Sequence, residues 1–345
     1  MTQRDRTYGY GDGVLSMSML TTSTKCGYQY RMKYVEKKSS SKTFSYFIAG
    51  NLVHYSIDDV LSGDVPNDYK SLHTALTERL HHHFREKFDQ ELLSEVLYAV
   101  DAVNALKLKA IGEYGKHTKA IERTNVWKNN YQQKADAIRK KLEKEQERFE
   151  HFYIFKKPID VIFDQASRCI KNFAKLHSIY MHENPAHQVI SEYRIPEGVT
   201  LYDEPFSGSI DRLVIDEDGN YHVADYKTGF GQWSVNSVAN SDQFNWYAYA
   251  INKVFGVEPK SIAVWDLNKG EITQHQLTKR DTETFLRRTF EYIKEHRFRQ
   301  QAVDNTIDVI PKDMGFNSPC NYCEFLNDPD PQVRCPYRTN YEEVA

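Results

Sequence analysis

The chain has 345 residues, room for roughly two domains or one enzyme core with an insertion at about 150 residues per domain. Hydrophobic residues make up 40% and charged residues 27%, which excludes wholesale disorder, and 45 basic against 48 acidic side chains give a net charge of −3. No global positive field therefore advertises a nucleic-acid partner, and any basic surface must be local. No apolar run approaches the ~18 residues of a membrane span, and Met1-Thr2-Gln3-Arg4-Asp5-Arg6 has no apolar leader core, so a cytoplasmic protein without membrane contact is expected.

In chain order, Val14–Lys38 reads as one helix with a basic end. Between Lys25 and Lys42 six basic residues stand against Glu36, a local balance of +5 that fits either a solvated face or contact with phosphates. Val53, Ile57, Val60 and Leu61 then mark one buried helix face, with His54 flanking it. After the breakers Gly63, Pro66 and Asn67, the stretch from Leu72 to His182 is helical in pattern. Its segment Ala135–Phe152 has only a thin apolar stripe among alternating Lys and Glu and reads as a projecting insertion. Beyond Pro185 the pattern turns to strands: Gln188–Ile195, Phe206–Ile215 and Tyr221–Lys227, the last two joined by the turn segment Asp216-Glu217-Asp218-Gly219-Asn220. A helix over Val238–Val254, a hairpin over Ser261–Leu277 turning at Asn268-Lys269-Gly270, and an amphipathic basic helix over Arg280–Gln300 complete the body.

Strand alternation puts Asp211, Leu213 and Ile215 on one face, and Val223, Asp225 and Lys227 likewise. With a tight turn centred near Asp218, Asp211 falls within about one residue of facing Asp225, so two carboxylates and an ammonium converge. Hard divalent cations such as Mg²⁺ or Mn²⁺ take carboxylate oxygens and can polarise a phosphate. Asp68-Tyr69-Lys70 repeats the Asp-x-Lys text, but it follows a Gly/Pro/Asn loop and has no partner strand, so it is read as chance.

Gly50-x3-His54, Glu192, Gly208-x-Ile210-Asp211-Arg212, Asp225-Tyr226-Lys227-Thr228-Gly229 and Gln243-x3-Tyr247 occur in an order that resembles the PD-(D/E)XK nuclease superfamily, and most of all its RecB-like exonucleases. The resemblance covers about residues 14–61 and 187–345. It implies a restriction-endonuclease-like α/β fold: a mixed central β-sheet flanked by helices, with a large helical insertion and a C-terminal iron–sulfur segment. Residues 1–71 would supply the N-terminal core helices, 72–182 the insertion, 183–310 the catalytic core and 311–345 the cysteine segment. By the same resemblance Asp211 and Asp225 would bind metal, His54 would be a further ligand, and Glu192 would be an acid near the metal. Lys227 would be the catalytic lysine, with Gln243 and Tyr247 supporting the site or touching substrate. Ile210 stands where the superfamily's name places proline.

Cys320-x2-Cys323-x11-Cys335 and the distant Cys26 supply four thiolates; Cys-x-x-Cys alone fits zinc, a redox pair or an iron–sulfur cluster. Their order and local text resemble the iron–sulfur nucleases typified by AddB and the CRISPR-associated exonuclease, which implies a structural [4Fe-4S] cluster, with structural Zn²⁺ as the alternative. Cys169 is left over as a buried small hydrophobe. No phosphate-binding Gly-x4-Gly-Lys motif occurs, and Pro185 with the five-residue His182–His187 spacing excludes a zinc-protease helix.

The expectation is a metal-dependent DNA exonuclease of recombination, repair or phage DNA processing, acting on DNA that is single-stranded or has a free end. Lys33, Lys37, Lys38, Arg287 and Arg288 are the expected DNA contacts. The alternative is a DNA-binding or recruitment subunit working with a helicase or recombination partner; a zinc-stabilised RNA-processing nuclease is a third reading.

Overall fold

The computed structural model describes residues 13–40, 43–85, 137, 140, 153–154, 159–229, 231–303, 320, 323–328 and 330–336. The expected N-terminal helix is three pieces: α1 (Met17–Lys25), α2 (Gly27–Tyr30) and a π-helical turn over Arg31–Val35. Ser16 starts α1 by accepting the Met19 N–H at 3.2 Å. Cys26 ends it, because its backbone is extended at φ −152° and ψ 110°. The Cys26 sulfur then accepts the Gln29 N–H at 3.4 Å and opens α2. Helix-break rules look for Gly, Pro or an oxygen-bearing cap, so a cysteine in this role gave no signal.

Two short ladders lie outside the main sheet: β1 (Thr43–Phe44) with β2 (Tyr153–Ile154), and β4 (Thr200–Leu201) with β5 (Glu204–Pro205). The main sheet joins β3 (Ala186–Arg194), β6 (Ser209–Asp216), β7 (Tyr221–Lys227), β8 (Ser261–Asp266) and β9 (Glu271–Gln276), in the order β3-β6-β7-β8-β9. All neighbours are antiparallel except β7 and β8. Both expected hairpins form. The first closes with Gly219 at φ 81° and the Asp216 carboxylate accepting the Asn220 N–H at 2.7 Å. The second closes with Gly270 at φ 76°.

A parallel pair needs a crossover, and α6 (Val235–Ala239) and α7 (Asp242–Phe255) provide it. Sequence patterning merged them into one helix. The chain breaks at Asn240-Ser241, where the Asn245 amide donates to the carbonyls of Ala239 and Ser241 at 2.8 and 2.9 Å and so satisfies groups a continuous helix would have used. Gly256, at φ 72°, ends α7 in the left-handed conformation.

Helices cover both faces of the sheet. On one, α3 (Ser45–Leu61), α4 (Tyr69–Arg85) and α5 (Ile159–Glu183) bury Val53, Ile57, Leu72, Ile170 and Phe173 against Ala224, Tyr226 and Trp265. On the other, α1, α7 and α8 (Lys279–Val303) bury Leu20, Phe244, Trp246, Ile251 and Phe285 against Leu213, Val223 and Val264. Full burial of each large side chain contributes about 1.5–3 kcal/mol. Helix α5, grouped with the insertion on sequence grounds, is thus a layer of the core. Its stripe Ala166, Cys169, Ile170, Phe173 and Ala174 carries the i, i+3, i+4, i+7, i+8 spacing that a buried face requires. The projecting segment expected over Ala135–Phe152 lies outside the described residues, apart from helical Ala137 and Lys140.

Candidate active site

Three strands bring carboxylates to one end of the sheet. Arg212 pairs with Ala224 across β6 and β7, so Asp211 and Asp225 stand opposite each other one step further on. Ser191 pairs with Arg212 and Tyr193 with Ile210 across β3 and β6, which sets Glu192 level with Asp211 on its other side. Glu192 adopts φ 48°, a left-handed conformation that costs a non-glycine residue about 1–3 kcal/mol and is retained where surrounding structure enforces it. The Ser209 hydroxyl donates to the Glu192 carboxylate at 3.3 Å, and the Tyr226 N–H donates to Asp211 Oδ2 at 2.8 Å.

His54 arrives from α3. Its Nδ1 lies 3.6 Å from Asp211 Oδ2 and 4.0 Å from Glu192 Oε1. One ligand atom from each of His54, Glu192 and Asp211 falls within 4.8 Å of the others. Gly50, one turn earlier on α3, is what permits this approach: a Cβ there would meet Thr228 Oγ1 at 3.3 Å, at the end of β7. Thr228 is also held from behind, because its carbonyl accepts from the Gln165 amide at 2.5 Å and from the Cys169 thiol at 3.9 Å. Burial pushes that thiol up to about 12, so Cys169 is the inert hydrophobe expected.

This packing predicts that Gly50→Ala leaves the fold stable, since alanine favours the helix by about 1 kcal/mol, yet lowers the activity of this site by displacing Thr228 and with it Lys227. A loss of up to about tenfold is expected from a shift of a few tenths of an ångström. Thr228→Ala in the same background removes the clashing oxygen and should restore the rate. Steady-state kinetics of the single and double variants measure both effects.

Lys227 and Asp225 form a separate, tighter unit beside the triad. Lys227 Nζ lies 2.7 Å from Asp225 Oδ2, and 3.4 Å from Gln243 Oε1, to which it donates. The Gln243 amide donates in turn to Asp225 Oδ1 at 3.1 Å and to the Tyr247 hydroxyl at 2.7 Å. Gln243 and Tyr247 are one turn apart on α7, so one helix face braces the carboxylate. Burial raises the Asp211 carboxyl well above the ordinary aspartate value, and the charges of Asp225 and Glu192 add to the shift. Burial opposes the charge on Lys227, but Asp225 and Asp211 outweigh it and raise the ammonium further, so Lys227 is a cation at neutral pH. Asp225 is 2% exposed, and its buried Oδ2 has the Lys227 ion pair but no well-directed hydrogen bond.

The donors are hard oxygens and one imidazole, and the repulsion among the carboxylates is of the kind a divalent cation relieves. They fit Mg²⁺ or Mn²⁺. His54, Glu192 and Asp211 could hold the ion, with Asp225 adjoining.

The remaining residues of interest lie elsewhere. Lys33 pairs with Glu324 at 3.6 Å, while Lys37, Lys38 and Arg287 are exposed. Arg288 is engaged in packing: its guanidinium donates to Asp242 at 2.6 Å and to the Asn240 carbonyl at 3.0 Å, tying α8 to the break between α6 and α7. Its donors are thus directed into the protein.

No disulfide joins any of the five cysteines. Residues 26–32 and 323–335 meet around Cys26, Cys323 and Cys335: the Tyr28 hydroxyl donates to the carbonyls of Val333 and Arg334 at 3.1 and 3.0 Å, and Cys26, Tyr28, Met32, Phe325 and Val333 form a small core against Cys323 and Cys335. Burial pushes the Cys323 thiol up to about 12, and Cys26, Cys335 and Cys320 add to the shift, which marks their proximity.

The sequence profile of the PD-(D/E)XK nuclease superfamily matches residues 14–327. Comparison with curated proteins finds no match.

Proposed function

We propose, on the premise that this chain belongs to the PD-(D/E)XK nuclease superfamily, that it is a DNA exonuclease of the RecB-like type with an iron–sulfur cluster. Membership implies a metal-dependent nuclease with DNA as its substrate. Among the described residues no helix is long and apolar enough to cross a membrane.

The observation that carries the reading is the gathering of His54, Glu192 and Asp211 within 4.8 Å, beside the Asp225–Lys227 pair. A divalent ion held there would polarise the scissile phosphate and lower the pKa of an attacking water. The protein's own contribution is positional and electrostatic. Lys227, being charged, is suited to offset negative charge developing on phosphate oxygens rather than to remove a proton. Gln243 fixes both Lys227 and Asp225, and Tyr247 fixes Gln243. The meeting of four thiols near both ends of the chain supports a structural [4Fe-4S] cluster, with Zn²⁺ as its rival. Exposed Lys37, Lys38 and Arg287 remain candidate phosphate contacts.

The test is degradation of end-labelled single- and double-stranded DNA with Mg²⁺ or Mn²⁺ by anaerobically purified protein. Loss of label from one end alone is expected, and it would set the polarity. Cleavage of closed circular DNA would make the enzyme an endonuclease. Binding without cleavage by metal-loaded protein would move the reading to a recruitment subunit for a helicase or recombination partner.

A further inference from the structure

Arg212 is the neighbour of Asp211 on β6, and Tyr226 lies between Asp225 and Lys227 on β7. Alternation turns both away from the face of Asp211, Asp225 and Lys227 and into the core on the side of α3 and α5. Arg212 is 0% exposed, and among the described residues no carboxylate pairs with its guanidinium. The charge instead lies 4.8 Å over the Trp265 ring and 5.6 Å from that of Tyr180. Its Nη1 approaches His177 Nδ1 at 3.3 Å and donates to the Tyr226 hydroxyl at 3.4 Å; its Nη2 meets Met181 Sδ at 3.4 Å; its Nε has no partner. Burial, with Arg212 adding, pushes His177 down to about 4, so its neutral ring nitrogen can accept.

A buried cation without a counter-charge is a poor way to fill a core, since an apolar side chain of similar volume avoids the desolvation and is often more stable. Something other than stability is therefore served by arginine here. The contacts indicate what. Tyr226 touches both the buried cation and the site: its hydroxyl receives Arg212, its N–H holds Asp211 Oδ2 at 2.8 Å, and its ring meets that of His54 edge-on at 6.0 Å.

We propose that Arg212 is a positioning residue: interlocked with Tyr226 on the side of the sheet covered by α3 and α5, it fixes the placement of Asp211, Asp225 and Lys227 on the opposite face relative to His54, which α3 brings in from its own side. This rests on the reading that His54, Glu192 and Asp211 hold a divalent ion. Removing the side chain that orients a metal ligand commonly costs about 10–100-fold in metal affinity or activity.

The experiment titrates the full chain with Mn²⁺ alone, followed by the loss of free-ion signal in electron paramagnetic resonance, beside thermal unfolding without metal and kcat and KM on DNA. Arg212→Met should unfold at the wild-type temperature or higher, yet bind Mn²⁺ about tenfold more weakly and lose kcat while KM for DNA holds. Arg212→Lys should recover part of the loss. Tyr226→Phe, which deletes only the hydroxyl, should lose about threefold and decides the matter if Arg212→Met does not fold. Wild-type Mn²⁺ affinity in Arg212→Met, or in Tyr226→Phe, overturns the proposal. Equal Mn²⁺ binding by wild type and Asp211→Asn would instead overturn the metal reading, and this inference with it.

Discussion

Asp225→Asn is expected to abolish DNA cleavage, with a rate loss of about 10³-fold or more, while DNA binding persists and the fold is kept. The amide is nearly isosteric and can still meet Gln243, but it offers no negative charge to a metal or to Lys227, now 2.7 Å from Asp225 Oδ2. Lys227→Ala should give a similar loss of rate with a different cost to the fold. It leaves a carboxylate that is 2% exposed with only the Gln243 amide beside it, and an unpaired buried charge destabilises. Because the Lys227 side chain is 30% exposed, solvent screens part of that cost. Thermal unfolding should therefore separate the two variants although activity does not. End-labelled DNA and a melting curve, run on both, are the measurements. Wild-type cleavage in Asp225→Asn would remove this site from the chemistry.

The same site shows how far local pattern reaches. Asp211 and Asp225 could be set opposite each other because hairpin register follows from a recognisable turn, and the structure holds that turn at Asp216 to Asn220. His54 was reached only through its spacing from Gly50 and a family resemblance. The physical reason for the spacing, contact between a glycine in α3 and Thr228 some 180 residues later, is tertiary and has no trace in either segment alone. Glu192 was named, but its left-handed backbone was not foreseeable, since nothing in Ser191-Glu192-Tyr193 marks a bend. Arg212 and Tyr226 sit inside the motifs without being ligands themselves. Alternation carried the signal: if Asp211 faces the site, Arg212 must face the core, where an arginine needs explaining. Gln165, which braces Thr228 from α5, was masked by assigning that helix to an insertion.

Cys323→Ser should release whatever the four thiols hold and lower the apparent melting temperature by at least about 10 °C. The reasoning is one of chain connectivity. The Cys26 region and residues 323–336 are separated by nearly the whole sequence, and among the described residues the contacts joining them include Tyr28 to Val333 and Arg334, Ser40 to the Glu324 carbonyl at 3.0 Å and to the Asp328 carboxylate at 2.5 Å, Lys33 to Glu324, and a small apolar core. Closing so long a loop restricts the unfolded chain strongly, so a bound group that grips both ends contributes far more than those contacts. Iron, acid-labile sulfide and zinc should be assayed on the same preparations. Cys169→Ala is the control: that thiol is buried beside Thr228, away from the other four, so its loss should leave the metal content unchanged. Zinc in place of iron and sulfide would keep the clip and change only what fastens it. Metal content and melting temperature both unchanged in Cys323→Ser would mean that the thiols fasten nothing, and that the small core around Phe325 joins the chain's ends by packing alone.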